Sequence, residues 1–228
     1  MRNSILAASL LALAVASPAA HAFKEGDIIV RAGAITVDPH EDSGEVHVGG
    51  AAVAGTKATL DSDTQLGLNF AYMLTDNLGI ELLAATPFEH DVKIKGTVLD
   101  AANGKLGSLK HLPPTLSLVY YPLDHKSAFQ PYVGAGINYT YIYDEHVGSE
   151  ASANGFSNFK AKNSWGLAWQ VGADYMLTDN IMLNAQVRYI DIDTRATVEN
   201  NAVAPGTRAR VNVDVDPFIY MVGLGYKF

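Results

Sequence analysis

The sequence predicts an all-β fold: an eight-stranded antiparallel transmembrane β-barrel with short periplasmic turns and longer extracellular loops. Three observations predict it. Large apolar residues alternate with small or polar ones at period 2 over most of the chain. The connections between these segments are by turns short and long. The chain also finishes on an aromatic strand, FIYMVGLGYKF (218–228), whose last residue is Phe228.

The first residues read MRNSILAASLLALAVASPAAHA. Arg2 precedes an apolar stretch from Ile5 to Ala16, and Ala20-His21-Ala22 closes it, the layout of a secretory signal peptide cleaved near Ala22. About a dozen apolar residues are too few to cross a bilayer as a helix. The chain therefore divides into a signal peptide, 1–22, and a barrel, 23–228, which crosses the cell outer membrane several times. The full chain has 16 Lys+Arg against 24 Asp+Glu, net −8. Loss of Arg2 takes the mature part to −9, a balance that argues against nucleic acid as a partner. With no cysteine, a disulfide framework and thiol catalysis are excluded.

In order, the alternating segments are 26–37, 62–73, 78–95, 108–121, 130–146, 162–176, 181–196 and 210–228. The connections after the second, fourth and sixth are short: LTDN (74–77), PLDHKSAF (122–129) and LTDN again (177–180). Those after the first, third, fifth and seventh are longer and polar. An outer-membrane barrel sorts its loops in this way. The repeat YMLTDN, at 72–77 and 175–180, is a tight-turn sequence under an interfacial tyrosine.

Within 65–72, Leu66, Leu68, Phe70 and Tyr72 share one face, and Gln65, Gly67, Asn69 and Ala71 the other. Within 165–175, Trp165, Leu167, Trp169, Val171 and Tyr175 alternate with Gly166, Ala168, Gln170, Gly172 and Asp174. A soluble barrel would turn the large apolar set inward. Here the other face is small or polar, which fits lipid outside and a narrow lumen within. Tyr72, Tyr120, Tyr175, Tyr226 and Phe228 then form the aromatic girdle at the short-turn end. Tyr226 and the terminal Phe228 also fit the signal read by the outer-membrane assembly machinery.

Other chemistry is thinly represented. Six histidines remain after the signal peptide: His40, His47, His90, His111, His125 and His146. Most sit in loops or at loop edges, without the close pairing of a zinc site, so neither a metal nor a cofactor is expected. His40 and His47 lie among Asp38, Glu41, Asp42 and Glu45, a cluster that reads first as a solvated acidic loop and second as a weak adventitious metal site. A lipid hydrolase would need a nucleophile and a base held together, but Ser117 and His111 stand about 20 Å apart along a strand. No G-x-S-x-G is present. The chain is not expected to be an enzyme.

Several blocks in order, DSDTQLGLNFAYMLTDN (61–77), ELLAATPF (81–88), HLPPTLS (111–117), PYVGAGINYT (131–140) and RYIDIDT (188–194), resemble the outer membrane protein W (OmpW) family, which includes channels that admit alkanes. The resemblance runs from the signal peptide to the last residue. It implies passive uptake of small hydrophobic solutes through a narrow apolar channel among outer-membrane lipids and lipopolysaccharide. Bulky side chains pinch that channel, at positions matching Leu83 and Arg188. Arginine stands where the family pattern leads one to expect an aromatic residue. Alternation puts Glu81 on the inward face too, so Arg188 either gates the lumen or pairs with Glu81. Pro113 and Pro114 lack N–H groups and remove two ladder donors from the wall. They either rise above the membrane, where water serves the partner carbonyls, or weaken a seam for lateral exit. The alternative function is a structural, adhesive or stress-related barrel that works through its extracellular loops.

Overall fold

The computed structural model describes residues 22–96, 103–124, 126–202, 204 and 206–228. The predicted signal peptide, except Ala22, and His125 lie outside the described residues.

Seventeen strands account for almost all the described secondary structure. Eight of them form the barrel: β1 (Ile28–Asp38), β6 (Asp63–Met73), β7 (Leu78–Ala85), β10 (Thr115–Tyr120), β11 (Phe129–Val147), β13 (Ser164–Met176), β14 (Ile181–Ile190) and β17 (Phe218–Lys227). Their antiparallel order, β10-β7-β6-β1-β17-β14-β13-β11, closes on itself through the pairing of β10 with β11. The last strand therefore pairs with the first, from Ile29 with Lys227 to Asp38 with Phe218. Closure removes every edge within the bilayer.

The repeated LTDN sequence builds the same turn twice. Leu74 and Leu177 donate their amides to the carbonyls of Leu78 and Ile181, while the hydroxyls of Thr75 and Thr178 accept the Leu78 and Ile181 amides. Asn77 and Asn180 reach sideways to the Tyr121 and Lys227 carbonyls at 2.7 and 2.8 Å. Each turn thus stitches its hairpin to the next strand.

Four predicted strands break in two on leaving the membrane. Strand 78–95 stops at Ala85 and resumes as β8 (Phe88–Lys95) after Thr86-Pro87. Strand 108–121 is β9 (Gly104–Leu112), then Pro113-Pro114, then β10. Segment 181–196 divides into β14 and β15 (Asp193–Asn200), and 210–228 into β16 (Arg208–Asp214) and β17. Proline removes the donors that would continue the ladder, which accounts for the first two breaks. The long loops also carry structure of their own: β2 (Asp42–Ser43), β3 (Val46–Val48), β4 (Ala51–Val53), β5 (Lys57–Leu60), β12 (Phe156–Ala161) and a short helix, Ser149–Ala153.

These pieces make an extension above the barrel. One face is β5-β8-β9 with the upper part of β11, and the other is β12-β15-β16-β3-β4 with β2 on β16. On the barrel's outside, Trp165, Trp169, Val171, Val222 and Leu224 are exposed, as are Tyr72, Tyr120, Tyr226 and Phe228 at the turn end. Such an apolar belt with aromatic rims is the surface that lipid requires.

Candidate functional site

The inward residues sort into three layers, and each barrel strand passes through them two residues at a time. Going up β1, these are Ile29, then Arg31, then Ile35 and Val37. Up β14 they are Met182, then Asn184, Gln186 and Arg188, then Ile190; β13 runs the other way, through Ala168, Gln170, Asp174 and Met176. All are buried.

The lowest layer is apolar. Phe23, Ile29, Met73, Val119, Met176 and Met182 pack with Tyr121 and Tyr132 across the periplasmic end, and the Phe23 and Tyr121 rings meet edge to face at 4.9 Å.

The middle layer is a charged belt. Arg31 is completely buried, and each of its N–H donors has a use. Nε and Nη2 grip Asp174 at 2.9 and 2.6 Å, Nη1 donates to Asn69 and Glu81 at 3.1 and 3.3 Å, and Nη2 also donates to the Tyr121 hydroxyl at 2.8 Å. Arg188 donates from Nη2 to Glu81 Oε1 at 2.7 Å and from Nε to Gln170 at 2.7 Å. Glu81 therefore bridges the two arginines. Asn184 joins the belt through Asp174 and the Tyr132 hydroxyl. Two arginines face two carboxylates, so the layer is neutral overall. Four buried charges are tolerable only with such pairing.

Inward glycines make the room. A Cβ on Gly225 would lie 3.1 Å from Arg31 Cγ, and one on Gly172 would lie 2.5 Å from Tyr132 Cζ. The space the glycines leave is filled by the belt, so the lumen is closed at this height.

The upper layer is an apolar chamber between the two faces of the extension. Leu83, Phe88, Ile35, Ile190, Ile219 and Met221 form its floor; Val92, Ile94, Leu106, Phe159, Val198 and Val211 lie above them. These side chains are closely packed, and the cleft among Val46, Val92, Phe159, Val198 and Val211 has a volume of only about 20 Å3, the room of about one water molecule.

The ladder of the wall is interrupted where β7 gives way to β8 and β9 to β10. The last β7–β10 pair is Leu83 with Thr115, and the first β8–β9 pair is Phe88 with His111. Between them, Ala84–Pro87 faces Leu112–Pro114 without a ladder pair. Neighbouring strands hold both flanks: the Thr86 amide donates to the Leu66 carbonyl, and the Tyr139 amide to the Pro114 carbonyl, at 3.0 and 3.1 Å. This seam lies level with the chamber floor.

The sequence-derived residues thus fall into separate places. Glu81 and Arg188 are bonded to each other in the belt, Leu83 sits just above it in the chamber floor, and Pro113 and Pro114 line the seam. Tyr226 and Phe228 are at the turn end facing outward, where the Phe228 amide donates to the Ile28 carbonyl at 2.9 Å. Sequence reasoning missed Arg31, Asp174, Tyr121 and Tyr132, and Pro87 as the far lip of the seam. The signal for the first two was present, since charges on an inward face of a narrow barrel must find partners. The histidine expectation is corrected. Because both broken strands re-pair above the seam, His90 and His111 meet with Nε2 atoms 2.8 Å apart.

A closed antiparallel barrel with a lipid-facing belt and a sealed lumen defines an outer-membrane barrel protein. The profile of the OmpW family matches residues 24–228, and the chain belongs to that family. It is 43% identical to outer membrane protein W of Vibrio cholerae over the full length of both chains. Outer membrane protein AlkL of Ectopseudomonas oleovorans is 30% identical over 90% of this chain and 84% of its own. The crystal structure of the outer membrane protein OprG from Pseudomonas aeruginosa superposes with a TM-score of 0.87 at 50% identity, covering 91% of this chain and 98% of that one.

Proposed function

We propose that this protein is a passive conduit for small hydrophobic molecules, which enter the chamber from outside and leave sideways through the seam into the outer-membrane lipids. The observation that carries the reading is the stacking of an apolar chamber on a closed charged belt, with the proline-interrupted stretch of wall between them. An apolar solute gains roughly 25 cal/mol per Å2 on leaving water for the chamber. Going further down would part Arg31 and Arg188 from their carboxylates, at a cost of several kcal/mol. Going sideways breaks no ladder bond, because Pro113 and Pro114 have no N–H to give. In this reading Leu83 is the gate over the belt, and Glu81 with Arg188 lock the floor beneath it. Relation to AlkL and the resemblance to alkane-admitting channels point the same way. Tyr226 and Phe228 serve assembly rather than transport.

The test is uptake of a medium-chain alkane by cells that make the protein. Uptake should exceed that of empty cells, and Pro113→Thr with Pro114→Val should slow it while the barrel still assembles. Equal uptake by parent and double variant would remove the lateral route. Uptake no faster than in empty cells would remove the conduit and favour a barrel that acts through its extracellular loops.

A further inference from the structure

The chamber carries one polar feature that an inert hydrocarbon pocket does not need. His90 and His111 are inward residues of the adjacent strands β8 and β9, only 2% and 6% exposed. Their rings lie within 18° of parallel with centroids 4.8 Å apart. With Nε2 facing Nε2 at 2.8 Å, they meet edge to edge and share one proton. The position of that proton follows from the neighbours. His90 Nδ1 lies 2.5 Å from the Asp61 carbonyl oxygen. A carbonyl only accepts, so the hydrogen is on Nδ1 and His90 Nε2 is the acceptor of the pair. His111 must then donate from Nε2, which leaves its Nδ1 as a bare lone pair.

That lone pair is buried and has no hydrogen-bond partner. The other buried side-chain atoms in this condition, among the described residues, belong to Asn69, Ser117, Asn184 and Arg188, all at belt height or close to it. His111 Nδ1 stands apart from them, beside Phe88, whose ring stacks at 5.4 Å, and opposite Ile142 on β11. It is at the chamber floor, next to the seam. A second proton on the pair is opposed by burial and by the neighbouring ring, which push His111 down to about 3. Nδ1 thus remains an acceptor at neutral pH.

We propose that the His90–His111 pair is a recognition element, in which His111 Nδ1 selects, among small apolar solutes, those that carry one hydrogen-bond donor, such as an alcohol or phenol hydroxyl. The proposal rests on the conduit reading and names its substrate class. A hydrocarbon that parts the floor leaves Nδ1 unpaired, whereas a hydroxyl at its end satisfies it. One such bond is worth a factor of roughly 2 to 10.

The test compares octane with 1-octanol, each as uptake relative to empty cells, in the parent and in His111→Phe. The phenyl ring keeps the apolar body and removes the acceptor. Octane uptake should persist, and the octanol preference should fall roughly 2- to 10-fold. An unchanged preference with octane uptake intact overturns the proposal. If neither probe outruns empty cells, the conduit itself has failed. A second measurement needs no variant: 15N NMR of histidine-labelled protein in detergent. It should show His111 Nδ1 unprotonated and moving upfield with 1-octanol but not with octane. A protonated Nδ1, or no response to 1-octanol, sinks the idea even if His111→Phe does not assemble.

Discussion

The charged belt and the apolar chamber occupy successive heights of one barrel, yet they are held together by opposite means. The belt is directional. Arg31 spends all its donors on fixed partners, and no member can move without stranding another. The chamber is non-directional, because Val92, Ile94, Phe159, Val198 and Val211 meet through dispersion and burial alone. A layer of the first kind makes a seal; one of the second kind can part around an apolar solute and close again. The extension rests largely on broken strands, with β11 the continuous exception, whereas the barrel below it is closed by unbroken ladders.

The largest expected effect comes from breaking the belt. Glu81→Ala leaves Arg188 without its carboxylate and Arg31 with Asp174 alone, and loss of a partner from a buried ion pair costs about 3–5 kcal/mol. Urea unfolding of the barrel in detergent measures it. Adding Arg188→Ala should recover part of the loss but not all, because Arg31 also bonds Glu81 at 3.3 Å. Full additivity of the two single losses would mean that Glu81 and Arg188 are not coupled.

How much of this contrast could be read in advance differs between the two layers. Alternation assigns Glu81, Arg188, Asn69, Gln170 and Asp174 to the inward face, and an isolated inward charge demands a partner, so the Glu81–Arg188 bond was legible. The bond between Arg31 and Asp174 joins residues 143 apart in sequence. Period 2 gives a residue's face but neither its height nor its place around the barrel. The chamber was harder still. Short strands such as β3 and β4 fall inside segments that read as polar loops. The contact of His90 with His111 depends on how β8 and β9 re-pair beyond Pro87 and Pro113, and that register is not set by the barrel strands below.

Acid should separate the layers next. His90 is held below its ordinary value by burial, against the raising influence of Asp61, Asp63 and Glu41, and His111 is pushed down to about 3 by burial and then by His90, with Asp63 opposing. In the unfolded chain both take a proton near pH 6.5. The sign follows: the stabilisation is complete above pH 6.5 and is lost as pH falls from there toward 3, since in that window the unfolded form holds more protons than the folded one. The loss amounts to a few kcal/mol. It should appear as faster amide exchange in β8 and β9 while β1, β14 and β17 stay protected. His111→Phe should flatten the profile; an unchanged profile would assign the acid loosening to other groups.

The smallest effect tests the contrast with one substitution made in both regions. A methyl group added at Gly172 would lie 2.5 Å from Tyr132 Cζ, 2.6 Å from its hydroxyl and 2.9 Å from the Ala185 carbonyl oxygen. Tyr132 cannot swing away freely. Its ring packs on Tyr121 at 5.2 Å, lies under the Arg31 guanidinium at 5.6 Å, and accepts the Asn184 amide through its hydroxyl. Gly172→Ala therefore overpacks the belt, and about 1–3 kcal/mol of stability should be lost. At Gly44, beside β2 in the extension, the added methyl meets only the Asn212 carbonyl oxygen at 3.7 Å, an ordinary contact. Gly44 is not in a left-handed conformation, and its amide keeps its bond to that same carbonyl at 3.1 Å. Gly44→Ala should leave stability within about 0.5 kcal/mol of the parent. If both changes cost the same, the belt is no more rigid than the extension, and the division into a fixed seal and a yielding chamber has to be abandoned.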